Sequence, residues 1–566
     1  MTSDLRTIRP VFLLLACVAI GGAWLIPNHY APWTSFYNDA CMAVGLLFAF
    51  ASVARARSFG IPRVAWAVMF LAVIPWLQFV TGILTFSGDA WVATLYLLGL
   101  ATAIAVGSES TRIDVRTFAS ALAGAVVVAA IVSCFLAMMQ TLQLWGLGIW
   151  IGEIFAGMRA SANLLQSNNL ATLLGWGVLA LLLLRERSLL GRSTSMLLLG
   201  VLLLGIALTQ SRTSLVFGPV IVAGVFIARR RGIVFQTRIL TIVIATIIGW
   251  GMIFATPVLI RDLLLTSLQT VGERRVESLR FQVWPILADA LSQRPWVGFG
   301  WLQVGAAELL SADRFPPTGE LYLHAHNFFF EMVIWCGYPL GLAIGGGVLY
   351  WFVTRTLRVA ALEAVIGMLF IALLGIHGML ELPYQYAYFL LPAGLWIGLV
   401  EAQVGPAIRS RPRIDWLLPA AALVLFIAVC KDYPSVEEDF RLVRFESLRI
   451  GDLHGAEPLP QAPFLSSLTG FLRFSRTVPA AGMSDAQLAD MRLEVDRYPY
   501  AASLYRLSVA LALNGKGADA KRVFIKARHI HGDVLYQRLL QNLHEATLED
   551  NPGQASLMAL ERSLPR

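Results

Sequence analysis

An all-α, polytopic membrane protein of about twelve to thirteen transmembrane helices is the fold this sequence predicts, with a large outward loop and a C-terminal helical domain. Three observations predict it. Hydrophobic residues make up 57% of the 566 and charged residues only 14%, against about 25% charged in an ordinary soluble protein. Apolar runs long enough to cross a bilayer recur along most of the chain. The arginines between those runs alternate between abundance and near absence, as positive-inside topology requires.

The runs lie at roughly 10–26, 39–53, 62–84, 89–107, 117–140, 168–185, 195–209, 214–228, 237–257, 326–352, 359–377, 386–402 and 414–430. That is thirteen, of which 195–209 and 214–228 are short. Residues 1–10 followed by Val11 to Ile26 lack a small-residue cleavage site, so the first run reads as a retained helix. With the N-terminus in the cytoplasm, the cytoplasmic stretches contain Arg6, Arg9, Arg55, Arg57, Arg63, Arg112, Arg116, Arg185, Arg187, Arg192, Arg229, Arg230, Arg231, Arg238, Arg355, Arg358, Arg409, Arg411 and Arg413. Those nineteen face two in the short outward loops, Arg159 and Arg212. Orientation explains the nineteen and leaves the two unexplained.

The expected organisation follows. Residues 1–257 form N-terminal transmembrane helices, 258–325 a large outward loop, 326–430 a second set of transmembrane helices, and 431–566 a soluble helical domain. With thirteen crossings the last region is extracytoplasmic; one crossing fewer would put it inside. Its charge rises and its apolar residues become periodic. Ser484-Asp485-Ala486-Gln487 has capping-box spacing and predicts a helix start. Ala501 to Leu513, a turn at Asn514 to Gly517, then Ala518 to Ala527 predict a helical hairpin. Its pattern is that of one tetratricopeptide-type repeat or of a plain helical bundle. The net charge of +8 is distributed as membrane-flanking arginine, which implies lipid contact and no nucleic-acid partner. Cys17, Cys41, Cys134, Cys336 and Cys430 all fall in apolar segments and read as small buried hydrophobes.

Chemistry-bearing residues gather on the outward side. One loop runs from Arg159 through Gln166, Ser167, Asn168 and Asn169; another is Thr209-Gln210-Ser211-Arg212-Thr213. An arginine between helices costs about 2.5–3.5 kcal/mol on insertion scales, so it has a partner or a task unless it snorkels to lipid phosphate. In the large loop, Arg274 to Ala290 reads as a helix carrying Arg280, with Arg274 and Arg275 as competitors for any phosphate, and a Pro-Trp-Val-Gly-Phe-Gly-Trp turn follows at 295–301. Then come His324, His326, Asn327 and Glu331, where a long polar segment meets a long apolar one. Two histidines two residues apart diverge on a helix and share a face only in extended chain, and no third ligand stands at zinc spacing, so no metal site is expected. Nor does the chain contain an Asp-x-Asp pair. A diphosphate would therefore be clamped by guanidinium, whose planar fork fits phosphate oxygens, rather than through Mg²⁺. The last outward loop, His377 to Tyr388, holds Glu381 and the interfacial tyrosines Tyr384, Tyr386 and Tyr388.

Four of these motifs together resemble the membrane O-antigen ligase and polymerase superfamily, most closely its bacterial protein O-oligosaccharyltransferases of the PglL type. They are Leu165-Gln166-Ser167-Asn168-Asn169-Leu170-Ala171-Thr172, similar to that family's Gln-Pro-Asn-His-x-Ala-Thr; Ser211-Arg212-Thr213; His324-Ala325-His326-Asn327 with Glu331 and Gly337; and Glu381 through Phe389. Ser167 and Asn169 depart from the family's Pro and His. The resemblance implies a glycan donor on undecaprenyl diphosphate, used at the periplasmic face of the inner membrane without metal, nucleotide or other cofactor. It implies a periplasmic or pilin-like protein as acceptor. In that chemistry Arg212, Arg280 and Arg159 stabilise the leaving diphosphate and His326 acts as general base. His324 is the alternative base or orients the acceptor. Gln166 and Tyr386 hydrogen-bond donor or acceptor, with Asn169, Asn327, Glu331 and Glu381 as further substrate contacts. The rival acceptors are lipid A-core, making the protein an O-antigen ligase, and a growing polysaccharide, making it a polymerase. A lipid-linked glycan transporter is the rival of another class; it calls for mid-membrane charge and discontinuous helices, whereas the spans here read as unbroken.

Overall fold

Apolar runs in a bilayer must close their backbone hydrogen bonds within the segment, and a helix does so. A computed structural model describes the backbone of residues 8–54, 60–144, 146–264, 280–405, 415–447, 459–548 and 553–565. Arg6, Arg55, Arg57, Arg274, Arg275, Arg409, Arg411 and Arg413 lie outside these residues. Among those described, every regular element is helical and nine helices are long and apolar enough to cross a membrane. One of them, Ser87–Thr141, covers two of the thirteen runs and is interrupted at Asp114 (φ −156°, ψ 93°). There the Asp114 carboxylate accepts from the backbone and hydroxyl of Thr117 and restarts the helix. Pro10–Ala23, Leu362–Gly378 and Ser214–Arg230 supply the three shorter crossings. All thirteen runs thus have a helix. The last, Leu417–Ser447, runs well beyond the expected end at residue 430.

The chain divides into two compact units. The first comprises Met1–Ala72, Leu95–Arg275 and Val348–Phe426. Its centre is Ser167–Glu186, with 83% of its apolar window buried, whereas Ile239–Asp262 buries 17% and presents an all-round apolar surface suited to lipid. Trp176 forms the hub, its ring 5.4 Å from both Phe370 and Phe389 and 6.4 Å from Trp24. Small residues let two helices nearly touch: a Cβ on Gly107 would stand 2.2 Å from the Leu395 carbonyl oxygen, and one on Gly398 2.1 Å from that of Ile104. Carboxylates on the arginine-rich side are paired. Glu401 accepts from Arg355 and from Trp351 Nε1, and Glu363 from Arg187.

The second unit comprises Val73–Thr94, Val276–Gly347 and Ile427–Arg566. Its organising feature is a break at Gly337 (φ 73°, ψ 172°) inside Phe328–Arg358. The expectation of unbroken spans fails here. A left-handed residue releases the carbonyls before it from the helical ladder. Phe299 N–H donates to the Ile334 carbonyl at 2.8 Å and Gly300 N–H to that of Trp335 at 3.0 Å, while Tyr338 N–H turns outward to the Pro295 carbonyl at 2.8 Å. The Pro295–Trp301 turn is thereby seated in the break. Gln78 completes the join, giving Nε2–H to the Trp335 carbonyl and accepting Trp301 N–H at Oε1. Nothing larger than hydrogen fits: a Cβ on Gly337 would meet the Trp296 carbonyl carbon at 2.4 Å, and one on Gly298 (φ 68°) the Ile334 oxygen at 2.4 Å.

The C-terminal part of this unit follows its sequence pattern. Ser484 and Gln487 form the full capping box ahead of Asp485–Arg497. Ala501–Leu513 and Gly517–Leu548 form the hairpin, with Leu504, Leu507, Ala510, Ala512, Ala520, Phe524 and Ala527 buried in its seam and Ala518 left exposed. Its core also takes in Leu309 and Ala312 from the large loop. Asp89 ties the parts together, accepting a bidentate pair from Arg497 (2.9 and 3.1 Å) and a bond from Gln303.

Gly337→Ala should therefore lower the melting midpoint of the detergent-solubilised protein by many degrees or abolish membrane accumulation, since both φ and space forbid the methyl. Gly346→Ala, on the same helix with nothing within 4 Å of its Cβ position, should leave the midpoint unchanged or slightly raised. Equal behaviour of the two variants in a fluorescence melting assay would contradict this account of the break.

Candidate active site

Irregular loops of the first unit are held by buried amide side chains, one on a helix and one in the loop itself. Gln140 uses its whole amide: Oε1 accepts the backbone N–H of Ser161 and Ala162, and Nε2 donates to the carbonyls of Gly152 and Ala162. Asn163 accepts from Gly152 N–H and donates to the carbonyls of Leu25 and Trp150. These two residues fold the segment carrying Arg159. An unpaired amide in hydrocarbon costs several kcal/mol, so the segment has one low-energy shape.

Within that shape Asn168 is the junction. Its Oδ1 accepts from Arg159 at 2.9 Å and from the Ser211 hydroxyl at 2.8 Å; its Nδ2 donates to Glu381 Oε1 at 3.3 Å. One amide thus joins the loop of Arg159, the loop of Arg212 and the loop of Glu381. Arg159 also spends its Nε–H on the Thr209 carbonyl at 2.7 Å. Two of its donors bind protein, so much of its role is to join loops. Arg212, the residue after Ser211, is exposed. Gln166, just before Ser167–Glu186, has a buried Oε1 with no hydrogen-bond partner among the described residues, and so does Asn169 at Oδ1. Asn169 Nδ2 donates to the Tyr388 hydroxyl at 3.0 Å, and Tyr388 stacks on Tyr386 at 4.9 Å.

Tyr388 is fixed in turn by Asp39. Inside the Phe36–Val53 helix, the Asp39 carboxylate accepts the Ser35 hydroxyl (2.6 Å), the Tyr96 hydroxyl (2.8 Å) and the Tyr388 backbone N–H (3.2 Å). His377 bonds Thr172 at 2.8 Å. Sequence reasoning passed over Gln140, Asn163 and Asp39 and gave Asn168 a place in its motif but no role. Gln140 and Asp39 each stand at the end of an apolar run, where a polar residue is a signal.

The histidine motif lies in the second unit. Both histidines precede the Phe328–Arg358 helix, where the chain is not helical, and the Asn327 side chain accepts Phe330 N–H at 3.1 Å as the helix cap. The fully buried Glu331 carboxylate, one turn in, reaches back to His324 Nδ1 at 2.9 Å, while the His324 side chain is 26% exposed. His326 adopts a left-handed backbone (φ 53°), a costly conformation for a β-substituted residue that concentrates at functional sites. Its ring meets the Tyr322 ring edge-on at 5.9 Å. Arg280 opens the Arg280–Gln293 helix, but its side chain lies outside the described residues. That helix reaches the motif through Trp284, whose Nε1–H donates to the Ala325 carbonyl at 2.9 Å. Among the described residues no three His, Cys, Asp or Glu side chains stand close enough to share a metal ion.

Known proteins resemble the chain over most of its length. Residues 196–345 match the family model described as O-Antigen ligase, and residues 365–542 the model described as Virulence factor membrane-bound polymerase, C-terminal. A General O-oligosaccharyltransferase of Acinetobacter baylyi is 29% identical over 469 residues, covering 79% of each chain. A ComP-specific O-oligosaccharyltransferase of the same organism is 23% identical over 440 residues, covering 76% of this chain and 77% of its own.

Asn168→Ala removes the shared acceptor of Arg159 and Ser211 and should destabilise these loops by about 1–3 kcal/mol. Asn168→Asp keeps that acceptor but replaces the donor to Glu381 by a second carboxylate, so it should destabilise them too. Melting midpoints in detergent, with limited proteolysis at residues 155–165, check both; parental values in Asn168→Ala would remove Asn168 from the junction.

Proposed function

We propose that this chain, which belongs to the O-antigen ligase and polymerase superfamily and is a membrane glycosyltransferase, transfers glycan to protein. The donor is an oligosaccharide on undecaprenyl diphosphate. The acceptor is a Ser or Thr hydroxyl of a periplasmic or pilin-like protein, and the reaction takes place at the periplasmic face of the inner membrane. Two relatives that span most of the chain and are named as O-oligosaccharyltransferases support a protein acceptor. The observation that carries the chemistry is the buried Glu331 carboxylate bonded to His324 in the same short segment that presents His326.

In this reading the acceptor oxygen attacks the anomeric carbon of the first sugar. A carbon–oxygen bond forms there as the bond to the diphosphate breaks, and the hydroxyl proton passes to the His326 imidazole. General-base help of this kind contributes about 10²–10⁴-fold. Glu331 holds the His324 ring, which orients the acceptor beside His326. The diphosphate leaves with added negative charge, which Arg212 stabilises; Arg159 sets the loop in which Arg212 stands, and Arg280 is the second guanidinium. Gln166 Oε1 and Asn169 Oδ1, acceptors without a protein donor among the described residues, suit sugar or acceptor N–H and O–H groups. Glu381, Asn327 and Tyr386 complete the substrate contacts. The break at Gly337 removes the argument from unbroken spans against transport, so the relatives carry the preference for an enzyme.

His326→Ala should abolish transfer while membrane accumulation stays at the parental level. Arg212→Lys keeps the charge and loses the bidentate fork, so turnover should fall by roughly tenfold or more. The assay is a mass shift on a periplasmic protein in a host supplying the lipid-linked donor. Glycosylated protein persisting in His326→Ala would refute the mechanism. A changed lipopolysaccharide ladder without any protein mass shift would replace the acceptor by lipid A-core.

A further inference from the structure

The segment that leads into the histidines, Phe315 to Tyr322, is held from two sides within the second unit. On one side is Gly517–Leu548, which breaks at Gly532 (φ 79°, ψ 171°). The break frees carbonyls just before it, and the segment takes them up. Thr318 N–H donates to the His529 carbonyl at 2.9 Å, and His529 Nδ1 stands 2.8 Å from the Phe315 carbonyl oxygen. Lys526 Nζ donates to the Leu309 carbonyl at 2.7 Å.

On the other side is Glu308, on the short helix Val304–Ser311. Its side chain is fully buried and Oε2 accepts the Tyr322 backbone N–H at 2.7 Å. Oε1 has no hydrogen-bond partner among the described residues. Burial away from water pushes the carboxyl up to about 8, against the pull of the Tyr322 amide and the Thr318 hydroxyl. A buried carboxyl without a cation is costly to keep, and leucine would fill the space. Its bond to the Tyr322 amide falls two residues ahead of His324, on the residue whose ring packs against His326.

We propose that Glu308 is a positioning residue for glycan transfer: by holding the Tyr322 amide it fixes the approach of the chain to His324 and the ring that seats His326. The proposal rests on the reading that these histidines serve the reaction. Glu308 acts through Tyr322, and an uncharged acceptor of the same shape should do as well. Glu308→Gln should therefore turn over within about twofold of the parent. Glu308→Ala should lose roughly ten- to a hundredfold in kcat, the scale of a small misplacement of reacting groups, with KM for the acceptor little changed.

The experiment compares the parent, Glu308→Gln, Glu308→Asp and Glu308→Ala as full-length protein in detergent, with size-exclusion profile and melting midpoint as fold controls. If Glu308→Ala fails to accumulate, Glu308→Asp, whose carboxyl is drawn back by one methylene, takes its place against Glu308→Gln. Hydrogen–deuterium exchange of residues 318–327 is read in parallel and does not depend on any acceptor. It should rise in the Ala or Asp variant and stay parental in Gln. Parental kcat in Glu308→Ala, a change confined to KM, an impaired Glu308→Gln, or unchanged exchange would each overturn the proposal. A parent that transfers nothing to protein sinks the acceptor reading instead; the same kcat comparison with lipid A-core as acceptor then decides the role of Glu308.

Discussion

The break at Gly337 is the constraint on which the histidine-bearing unit depends. In a bilayer a helix is the default because its backbone satisfies itself, and any interruption exposes groups that cost several kcal/mol each. Here the carbonyls of Ile334 and Trp335 and the amide of Tyr338 are repaired by Pro295, Phe299, Gly300 and Gln78. The repair is possible only because glycine stands on both sides of the contact. Its consequence is positional. The helix turns that carry Glu331 and follow the histidines are locked to the Pro295–Trp301 turn, whose next residues lead through Gln303 to the helix of Glu308. What looks like a defect in a span is the joint that sets the motif.

The same rule governs the first unit by different means. There the irregular segments are satisfied by amides and carboxylates, on neighbouring helices or, for Asn163, within the loop itself. Gln140 makes four bonds, Asn163 three and Asn168 three. Fully satisfied polar groups in a low-dielectric interior rigidify, because every alternative arrangement leaves one of them unpaired. This separates two arginines that topology alone treats alike. Arg159 is consumed in part by holding Asn168 and Thr209, whereas Arg212 stands exposed one residue beyond the junction.

How much of this was legible in the sequence follows from which forces have a local signature. Hydropathy marks crossings, and all thirteen runs became helices; the capping box at Ser484 and the hairpin seam from Leu504 to Ala527 are periodic patterns and appeared as read, except at Ala518, which is exposed. Glu331 and Asn327 were marked by their motif, but Glu331 bonds His324 and Asn327 caps the helix backbone, which no spacing foretold. The break at Gly337 was not legible, since a Gly-Tyr-Pro sequence in an apolar run is compatible with a kinked or a straight helix until a partner such as Phe299 is known. The role of Asn168 was overlooked for a related reason. A residue whose value lies in joining three loops looks, in one loop, like any polar residue. Asp39 and Gln140 stand at the ends of their apolar runs, where a polar residue reads as an interfacial one, and were passed over for that reason.

The C-terminal hairpin acquires its meaning from the buried pair of Asp89 and Arg497. Such a pair adds little beyond a well-packed apolar alternative, yet removing one partner strands the other at a cost of about 3–5 kcal/mol. Asp89 begins a membrane helix, Arg497 ends a helix of the C-terminal region, and Gln303 shares the same carboxylate. The hairpin core continues without a seam into Leu309 and Ala312 of the large loop. A tethered recognition module would have a polar boundary and a flexible link at this point; here an ion pair, a shared core and the strap at Thr318 replace both. Any acceptor that engages these helices therefore engages the body that holds the histidines. The C-terminal helices and the segment bearing His324 and His326 are thus parts of one packed unit, and a substitution in either is felt by the other.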